Sequence, residues 1–301
     1  MPEKWLMPKL LLVFSSFKVG GIERAMVNLT RRFMQSGVEV VLAVLRKEGP
    51  FINLLPASIQ IIDLEARNNT FYTLPNFVRA IKRQQPDAIL SAHPNINFLA
   101  LWARFLTGSQ ARLVISEHSH LTMASNSGPR LSLRYRPLME KFFYPMADAI
   151  VAVSGGLADD LAASTGISRQ RIAVIHNPVV TEDIAALSQE PLPQPLFPPS
   201  VPVILGAGRL VDVKDFATLI RAFAEVRSHK RARLILLGEG PLRGKLESLV
   251  QHLHLIDEVD LPGEVVNPFA YMARAAVLVL SSKYEGLPNV IAESLACGTP
   301  V

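Results

Sequence analysis

Two carboxylates, Glu285 and Glu293, stand eight positions apart across a Gly-Leu-Pro-Asn stretch in "SSKYEGLPNVIAES". Such a pair can be a solvated helix face, a metal site, an acid/base pair or a clamp on hydroxyl groups. Pro288 suits the first position of a helix, with Asn289 and Val290 in its first turn, where free N–H groups favour phosphate oxygens. An ionised carboxylate only accepts hydrogen bonds, so Glu285 before the helix and Glu293 inside it suit vicinal hydroxyls, one set on a sugar and the other on a ribose. A metal site fits poorly, because no D-x-D occurs in the chain and no histidine stands nearby. A nucleophile and acid pair for glycoside hydrolysis leaves the other motifs unexplained.

Those motifs lie at the ends of apolar runs. "GAGRLVDVKDF" sets Arg209 and Lys214 five positions apart between a strand and a helix. A guanidinium fork and an ammonium converging on one loop suit a diphosphate whose charge grows as a bond to it breaks; the alternative is a pair of solvated cations. "FKVGGIERA" places Gly20 and Gly21 between the first strand and its helix, where bare N–H groups can approach an anion. Neither glycine stretch has the G-x-G-x-x-G spacing of a dinucleotide site. "VISEHSHL" ends a strand with Glu117, His118 and His120, and "SAHPNINF" offers His93 after the preceding strand. An imidazole there can equally cap the following segment. Ser154 in "VAVSGG" reads as a helix cap, and Asn177 in "VIHNPVV" as an interdomain or backbone-pairing residue.

The elements that must position these residues alternate along the chain. "KLLLVFS", "VEVVLAVL", "DAILSA", "ARLVISE", "AIVAVS" and "RIAVIH" are strand-sized and separated by helix-sized stretches, the pattern of a parallel α/β sheet. In the helix after the first strand, Ile22, Met26, Leu29 and Phe33 share one face. The stretch 188–202 holds six prolines and predicts a linker. The alternation then restarts with "VPVILGAGRL", "ARLILLGEG", "EVDLPGE" and "AAVLVLSS". The expected division is a domain over 1–185, a Pro-rich linker over 186–202 and a second domain over 203–301, both domains doubly wound. The chain stops at Val301 where another strand is due, so a fragment of a longer protein is expected.

Composition excludes several classes. Hydrophobic residues make up 49% and charged residues 19%, which is a globular rather than a disordered balance. The apolar runs are shorter than the roughly 20 residues of a membrane-spanning helix. One cysteine, Cys297, excludes an internal disulfide framework and suits a reducing compartment, the cytoplasm. Residues 1–185 carry 20 Lys/Arg against 14 Asp/Glu, whereas 186–301 carry 11 against 12. The basic half favours an anionic partner, a phosphate-bearing acceptor or an anionic membrane face. Nucleic acid is disfavoured by the lack of an arginine-rich tract or RNA-binding motif. "RLSLRYRPLMEKFFYPM" combines Arg130, Arg134, Arg136 and Lys141 with Leu133, Leu138, Phe142 and Phe143, and is either a core-facing helix with a solvated rim or a helix lying on a membrane.

"GGIER", "GAGRLVDVKDF", "LGEGPLRGKL" and "EGLPNVIAESLACGTPV", in this order, resemble the retaining family 4 of GT-B glycosyltransferases over essentially the whole chain. The resemblance implies two Rossmann-like domains facing a cleft, the second incomplete here. It implies sugar transfer from a UDP-, GDP- or ADP-sugar with retention, without metal or cofactor, to a glycan or lipid-linked acceptor in bacterial envelope, lipopolysaccharide or exopolysaccharide synthesis. By position, Arg209 and Lys214 would neutralise the diphosphate, Glu285 bind the transferred sugar and Glu293 the ribose. Asn289 and Val290 would lie at the donor phosphates, Gly20 and Gly21 would approach the β-phosphate, and His118 would lie by the reacting carbon, with His93 its competitor. The leaving phosphate would take the acceptor's proton. The implied location is the cytoplasm or the inner face of the plasma membrane. Rival readings are a nucleotide-sugar 2-epimerase, which needs no acceptor, and a non-catalytic nucleotide-sugar- or saccharide-binding protein.

Overall fold

Leu11, Leu12, Val13 and Phe14 are all fully inaccessible to solvent, which consecutive strand residues achieve only when both faces of their sheet are covered. The computed structural model in which they lie describes residues 7–66, 73–119, 131–192, 196–198 and 200–301, of 131–135 the backbone alone. Two compact units divide the chain, Met1–Pro178 and Val179–Val301.

The first unit runs β1 (Lys9–Phe14), α1 (Gly21–Gln35), β2 (Glu39–Val44), β3 (Gln60–Asp63), α2 (Leu74–Gln84), β4 (Ala88–Ala92), α3 (Pro94–Thr107), β5 (Arg112–Glu117), α4 (Leu131–Phe143), β6 (Ala149–Ala152), α5 (Gly155–Thr165) and β7 (Ile172–Val174). Its seven strands are parallel in the order β3-β2-β1-β4-β5-β6-β7. On one face Leu10, Leu12 and Phe14 pack with Met26 of α1, and Ile22, Leu29 and Phe33 close over them, as the helical spacing predicts. Each apolar side chain buried this completely contributes about 1.5–3 kcal/mol. Ser154 caps α5, its Oγ accepting from the Leu157 N–H at 3.3 Å.

The second unit runs α6 (Ile184–Ser188), β8 (Val203–Ala207), α7 (Phe216–His229), β9 (Arg233–Leu237), α8 (Arg243–His252), β10 (Val259–Gly263), α9 (Phe269–Met272), β11 (Val277–Leu278) and α10 (Asn289–Ala296). Its parallel order is β10-β9-β8-β11. Strand alternation divides its core: Leu234 and Leu236 face α7 and α8, while Ile235 and Leu237 face α9. Both sheets are the doubly wound α/β kind expected.

The boundary between the units falls at Pro178–Val179, earlier than a domain over 1–185 and a linker over 186–202 would place it. Prolines break helices and strands, but the apolar residues between them still pack. Leu187, Leu192, Leu196 and Phe197 join the second unit's core, and Arg274 Nη1 donates to the Ser188 carbonyl at 3.0 Å. Among the described residues no helix is long and apolar enough to cross a membrane.

Candidate functional site

Open α/β sheets bind ligands beyond the carboxyl ends of their strands, where the strand order reverses. In the second sheet that point lies between β8 and β11. The segments leaving those strands carry Arg209, Lys214 and Glu285. Lys214 closes the 3-10 turn Asp212–Lys214, and its Nζ donates to Glu285 Oε1 at 2.5 Å, with both side chains 20% exposed. Ser282 Oγ donates to the same carboxylate oxygen at 2.6 Å. Ser281 Oγ donates to the Lys214 carbonyl at 2.7 Å, and the Lys283 N–H to the Val213 carbonyl at 2.8 Å. Ser281 and Lys283 therefore fasten the cationic loop to the carboxylate segment, while Ser282 holds the carboxylate itself. The part played by Ser281 and Ser282 escapes sequence reasoning, since serines after a strand usually read as loop filler.

Arg209 is exposed beside Gly208, over which the Lys214 stem lies: a Cβ at Gly208 would stand 3.1 Å from Lys214 Cε. α10 follows Pro288, which occupies the N-cap rather than the first helical position, leaving Asn289 to begin the helix. Asn289 is buried, Val290 packs into the core beside α9, and Glu293 in the second turn is only 4% exposed. Burial, with the Glu293 charge adding to it, pushes the Cys297 thiol up. The structure thus joins Lys214 to Glu285, sets Arg209 on the exposed side and buries Glu293.

Glycines hold the cationic loop in place. Gly208, Gly238 and Gly263 end three neighbouring strands with φ of +152°, +133° and +92°, a region that side-chain-bearing residues rarely enter. A Cβ at Gly238 would stand 2.0 Å from the Gly208 carbonyl oxygen, and one at Gly240 2.4 Å from that of Leu210. Gly208 N–H donates to Leu237, Leu210 N–H to Glu239 and Gly238 N–H to Gly263, all at 2.8–2.9 Å.

The first sheet reverses between β1 and β4, and Gly20 and His93 follow those strands directly or within a few residues. Gly20 is the N-cap of α1 and Gly21 its first residue. Gly20 has extended backbone open to any residue; the Glu23 carboxylate folds back over it, 2.2 Å from where a Cβ would be, and accepts from Ser15 Oγ at 2.5 Å. Glu23 was not among the sequence candidates, although a glutamate three positions after an N-cap has the capping-box spacing. Arg24 is buried with its guanidinium 4.8 Å from the Phe51 ring centre.

His93 caps α3 with φ +95°, a conformation costing about 1–3 kcal/mol in a residue with a side chain. His118 follows β5. Its Nε2 lies 3.0 Å from Ser116 Oγ, while its buried Nδ1 has no hydrogen-bond partner among the described residues. Burial, and then the charge of nearby His93, push its pKa down to about 4, so the ring is neutral at pH 7. The two histidines that competed in the sequence are therefore neighbours. His120 lies outside the described residues.

Glu117 points inward. Its Oε1 accepts from Asn97 Nδ2 at 3.0 Å and from the Tyr144 hydroxyl, and its Oε2 from Arg136 Nη2 at 3.2 Å. Arg136 Nε donates to Glu140 Oε1 at 2.6 Å. Burial and the Glu117 charge raise Glu140 to about 8, and burial also raises Glu117 against the pull of Arg136, so a single arginine faces two carboxyls that both resist ionisation. This corrects the reading of Arg136 as a cation of a membrane-facing helix side: its side chain is 13% exposed and pairs with the core. Arg130 and the side chain of Arg134 lie outside the described residues. Among the described residues no group of three or more His, Cys, Asp or Glu is arranged to hold a metal ion.

Two family profiles match the chain, Glycosyltransferase Family 4 over residues 19–183 and Glycosyl transferases group 1 over residues 189–301. Over 209 residues the chain is 34% identical to the N-acetylgalactosamine-N,N'-diacetylbacillosaminyl-diphospho-undecaprenol 4-alpha-N-acetylgalactosaminyltransferase of Campylobacter jejuni, covering 68% of this chain and 54% of that protein. It thus spans about half the length of that curated relative. It is 29% identical over 287 residues to the lipopolysaccharide core biosynthesis glycosyltransferase LpsE of Rhizobium meliloti, covering 94% and 75% of the two chains. A crystal structure of Anabaena HepE in complex with UDP-glucose superposes with a TM-score of 0.77 at 21% identity, covering 97% of this chain and 79% of that one. That likeness carries the fold alone.

Proposed function

The chain belongs to glycosyltransferase family 4, and from that premise we propose that it moves a sugar from a nucleotide diphosphate donor to a glycan or lipid-linked acceptor in bacterial envelope polysaccharide synthesis. The anomeric configuration is kept and no metal takes part. The observation that carries the reading is the contact between Lys214 and Glu285 at the switch point of the second sheet. A cation and a carboxylate poised together there match a ligand with a diphosphate at one end and hydroxyls at the other.

In this reading the Arg209 fork and the Lys214 ammonium take up the charge that grows on the diphosphate as the sugar–phosphate bond lengthens. The α10 amides at Asn289 and Val290 meet further phosphate oxygens. As Lys214 turns to the phosphate, the Glu285 carboxylate accepts from sugar hydroxyls in its place, and Ser282 keeps the carboxylate aimed. Glu293 accepts from the ribose. Within the first unit, Gly20 and Gly21 are the phosphate-facing residues, and neutral His118 is the hydrogen-bond partner of a sugar hydroxyl. The acceptor proton passes to the leaving phosphate on the same face.

The names of the similar proteins support the substrate classes: the Campylobacter name contains a diphospho-undecaprenol acceptor, and HepE was crystallised with UDP-glucose. The cytoplasmic face of the membrane is where such an acceptor would be met. Calorimetric titration with UDP-, GDP- and ADP-sugars tests the donor class, and nucleotide release with and without added acceptor tests transfer. Saturable binding of one nucleotide sugar, lost in Lys214→Ala, is expected. Equal affinity in the variant, or no binding of any donor, overturns the assignment.

A further inference from the structure

Residues two apart on a strand project to the same side. Ser116 in β5 and His118 just past its end meet in this way, while Glu117 between them turns inward to Asn97, Tyr144 and Arg136. The backbone that carries the pair is pinned from α3. Asn97, fully inaccessible, donates from Nδ2 to the Ser116 carbonyl at 3.1 Å and to Glu117 Oε1 at 3.0 Å, and its Oδ1 accepts from Ser91 Oγ at 2.7 Å. Ser116 also stands in register with Ala92, the residue before His93, so both histidines issue from strand ends that are held side by side.

Ser116 is 5% exposed, and among the described residues its hydroxyl meets only His118 Nε2, at 3.0 Å. Burial and the charge of His93 keep the His118 ring neutral at pH 7, and a neutral imidazole carries one N–H. The bond made at one ring nitrogen decides which of the two bears it. With the proton on Nε2, that N–H would donate to Ser116 Oγ, and both the serine hydroxyl hydrogen and the Nδ1 lone pair would go unmet. With the proton on Nδ1, the hydroxyl donates to Nε2 and a single group is left over. That group is Nδ1–H, buried and without a partner among the described residues. Buried polar atoms in native proteins are nearly always hydrogen-bonded, so an orphan at a strand end marks a place for a ligand atom.

We propose that Ser116 is a positioning residue that locks His118 in its Nδ1–H tautomer, so that the ring meets the donor sugar as a hydrogen-bond donor and selects a hydroxyl oxygen there. The identity of the ligand rests on the transferase reading; the tautomer does not. Ser116 acts through the ring and does not itself touch the sugar. A specificity rule follows: a sugar with hydrogen or an ammonium group in place of that hydroxyl offers Nδ1–H no acceptor and is rejected, because a site built to bond a hydroxyl is left with an unmet group by the analogue that lacks it.

Nitrogen isotope labelling of the seven histidines and long-range proton–nitrogen correlation spectra at pH 7, without ligand, report the tautomer of each ring, and the signal lost in His118→Gln is that of His118. The wild type should show the Nδ1–H form, Ser116→Thr should keep it, and Ser116→Ala should move it to the Nε2–H form that free histidine prefers. An Nε2–H or mixed ring in the wild type, or an Nδ1–H ring that persists in Ser116→Ala, overturns the proposal. The wild-type spectrum decides even where the alanine variant fails to fold. Donor affinity should fall about three- to tenfold in Ser116→Ala and return in Ser116→Thr. Among donors that each lack one sugar hydroxyl, one should bind wild type and Ser116→Ala equally; a loss of the same size across the whole set overturns the role in sugar selection. If no nucleotide sugar binds the wild type, the transferase reading falls, while the spectra still decide whether Ser116 sets the ring.

Discussion

Lys214 Nζ and Glu285 Oε1, 71 positions apart in the chain, lie 2.5 Å from each other. Each side chain is 20% exposed, so the pair sits between a screened surface bridge and a fully buried one. Lys214→Met and Glu285→Gln are each expected to destabilise by about 1–2 kcal/mol, with a coupling of about 1 kcal/mol in the double variant. Urea unfolding of the four proteins measures it. Strictly additive losses would mean that the two groups do not act as a pair.

Glu293 is nearly inaccessible, and its charge adds to burial in holding the Cys297 thiol protonated. Glu293→Gln keeps the shape and removes the charge, so iodoacetamide should modify Cys297 about two- to threefold faster at pH 8. The same variant should lose nucleotide-sugar affinity if the carboxylate holds a ribose. An unchanged alkylation rate would place Glu293 away from the thiol.

Glu140 has a folded-state pKa of about 8 against an ordinary value of 4.5. A raised carboxyl pKa favours folding fully below pH 4.5, where both states are protonated; the contribution is lost as pH climbs from there to 8 and is flat beyond. Glu140→Gln can still accept from Arg136 and escapes that loss. It should match the wild type near pH 4.5 and exceed it by about 1–3 kcal/mol at pH 8. Parallel stability curves for the two proteins across this range would contradict the assignment.

Gly238 and Gly244 make a controlled comparison. A side chain at Gly238 collides with the Gly208 carbonyl, whereas one at Gly244, in α8, meets nothing within 4 Å. Gly238→Ala should cost about 2–4 kcal/mol, and Gly244→Ala should stabilise by about 0.5–1 kcal/mol. Thermal melts of the two variants moving in the same direction would refute the backbone argument.

The parts of the fold most legible in the sequence are those with a strong period. The Ile22, Met26, Leu29, Phe33 stripe gave α1 its buried face, and the unbroken runs gave β1, β2, β8 and β9 their place inside parallel sheets. β3, Gln60–Asp63, passed unseen because four residues on the sheet edge, none fully buried, need no apolar run. The proline stretch ends α6 as its composition requires, and the leucines between its prolines pack into the second unit. Arg136 reads as a surface cation because Glu117, the partner that draws it into the core, is 19 positions away at the end of β5. Lys214 and Glu285 were recognisable as polar groups at strand ends, but their contact depends on β8 lying next to β11. Ser282 and Glu23 carry no periodic signal, and only the folded geometry shows what they hold.

The three strand-end glycines, Gly208, Gly238 and Gly263, have a consequence for how such a protein can diversify. Backbone hydrogen bonds tie the three turns together, and a methyl group added at Gly238 would collide with the Gly208 carbonyl. A change of ligand preference cannot readily come from reshaping that backbone, which would shift all three turns together. It has to come from exchanging protruding side chains such as Arg209, or from lengthening segments outside the nest, while the scaffold beneath keeps its shape.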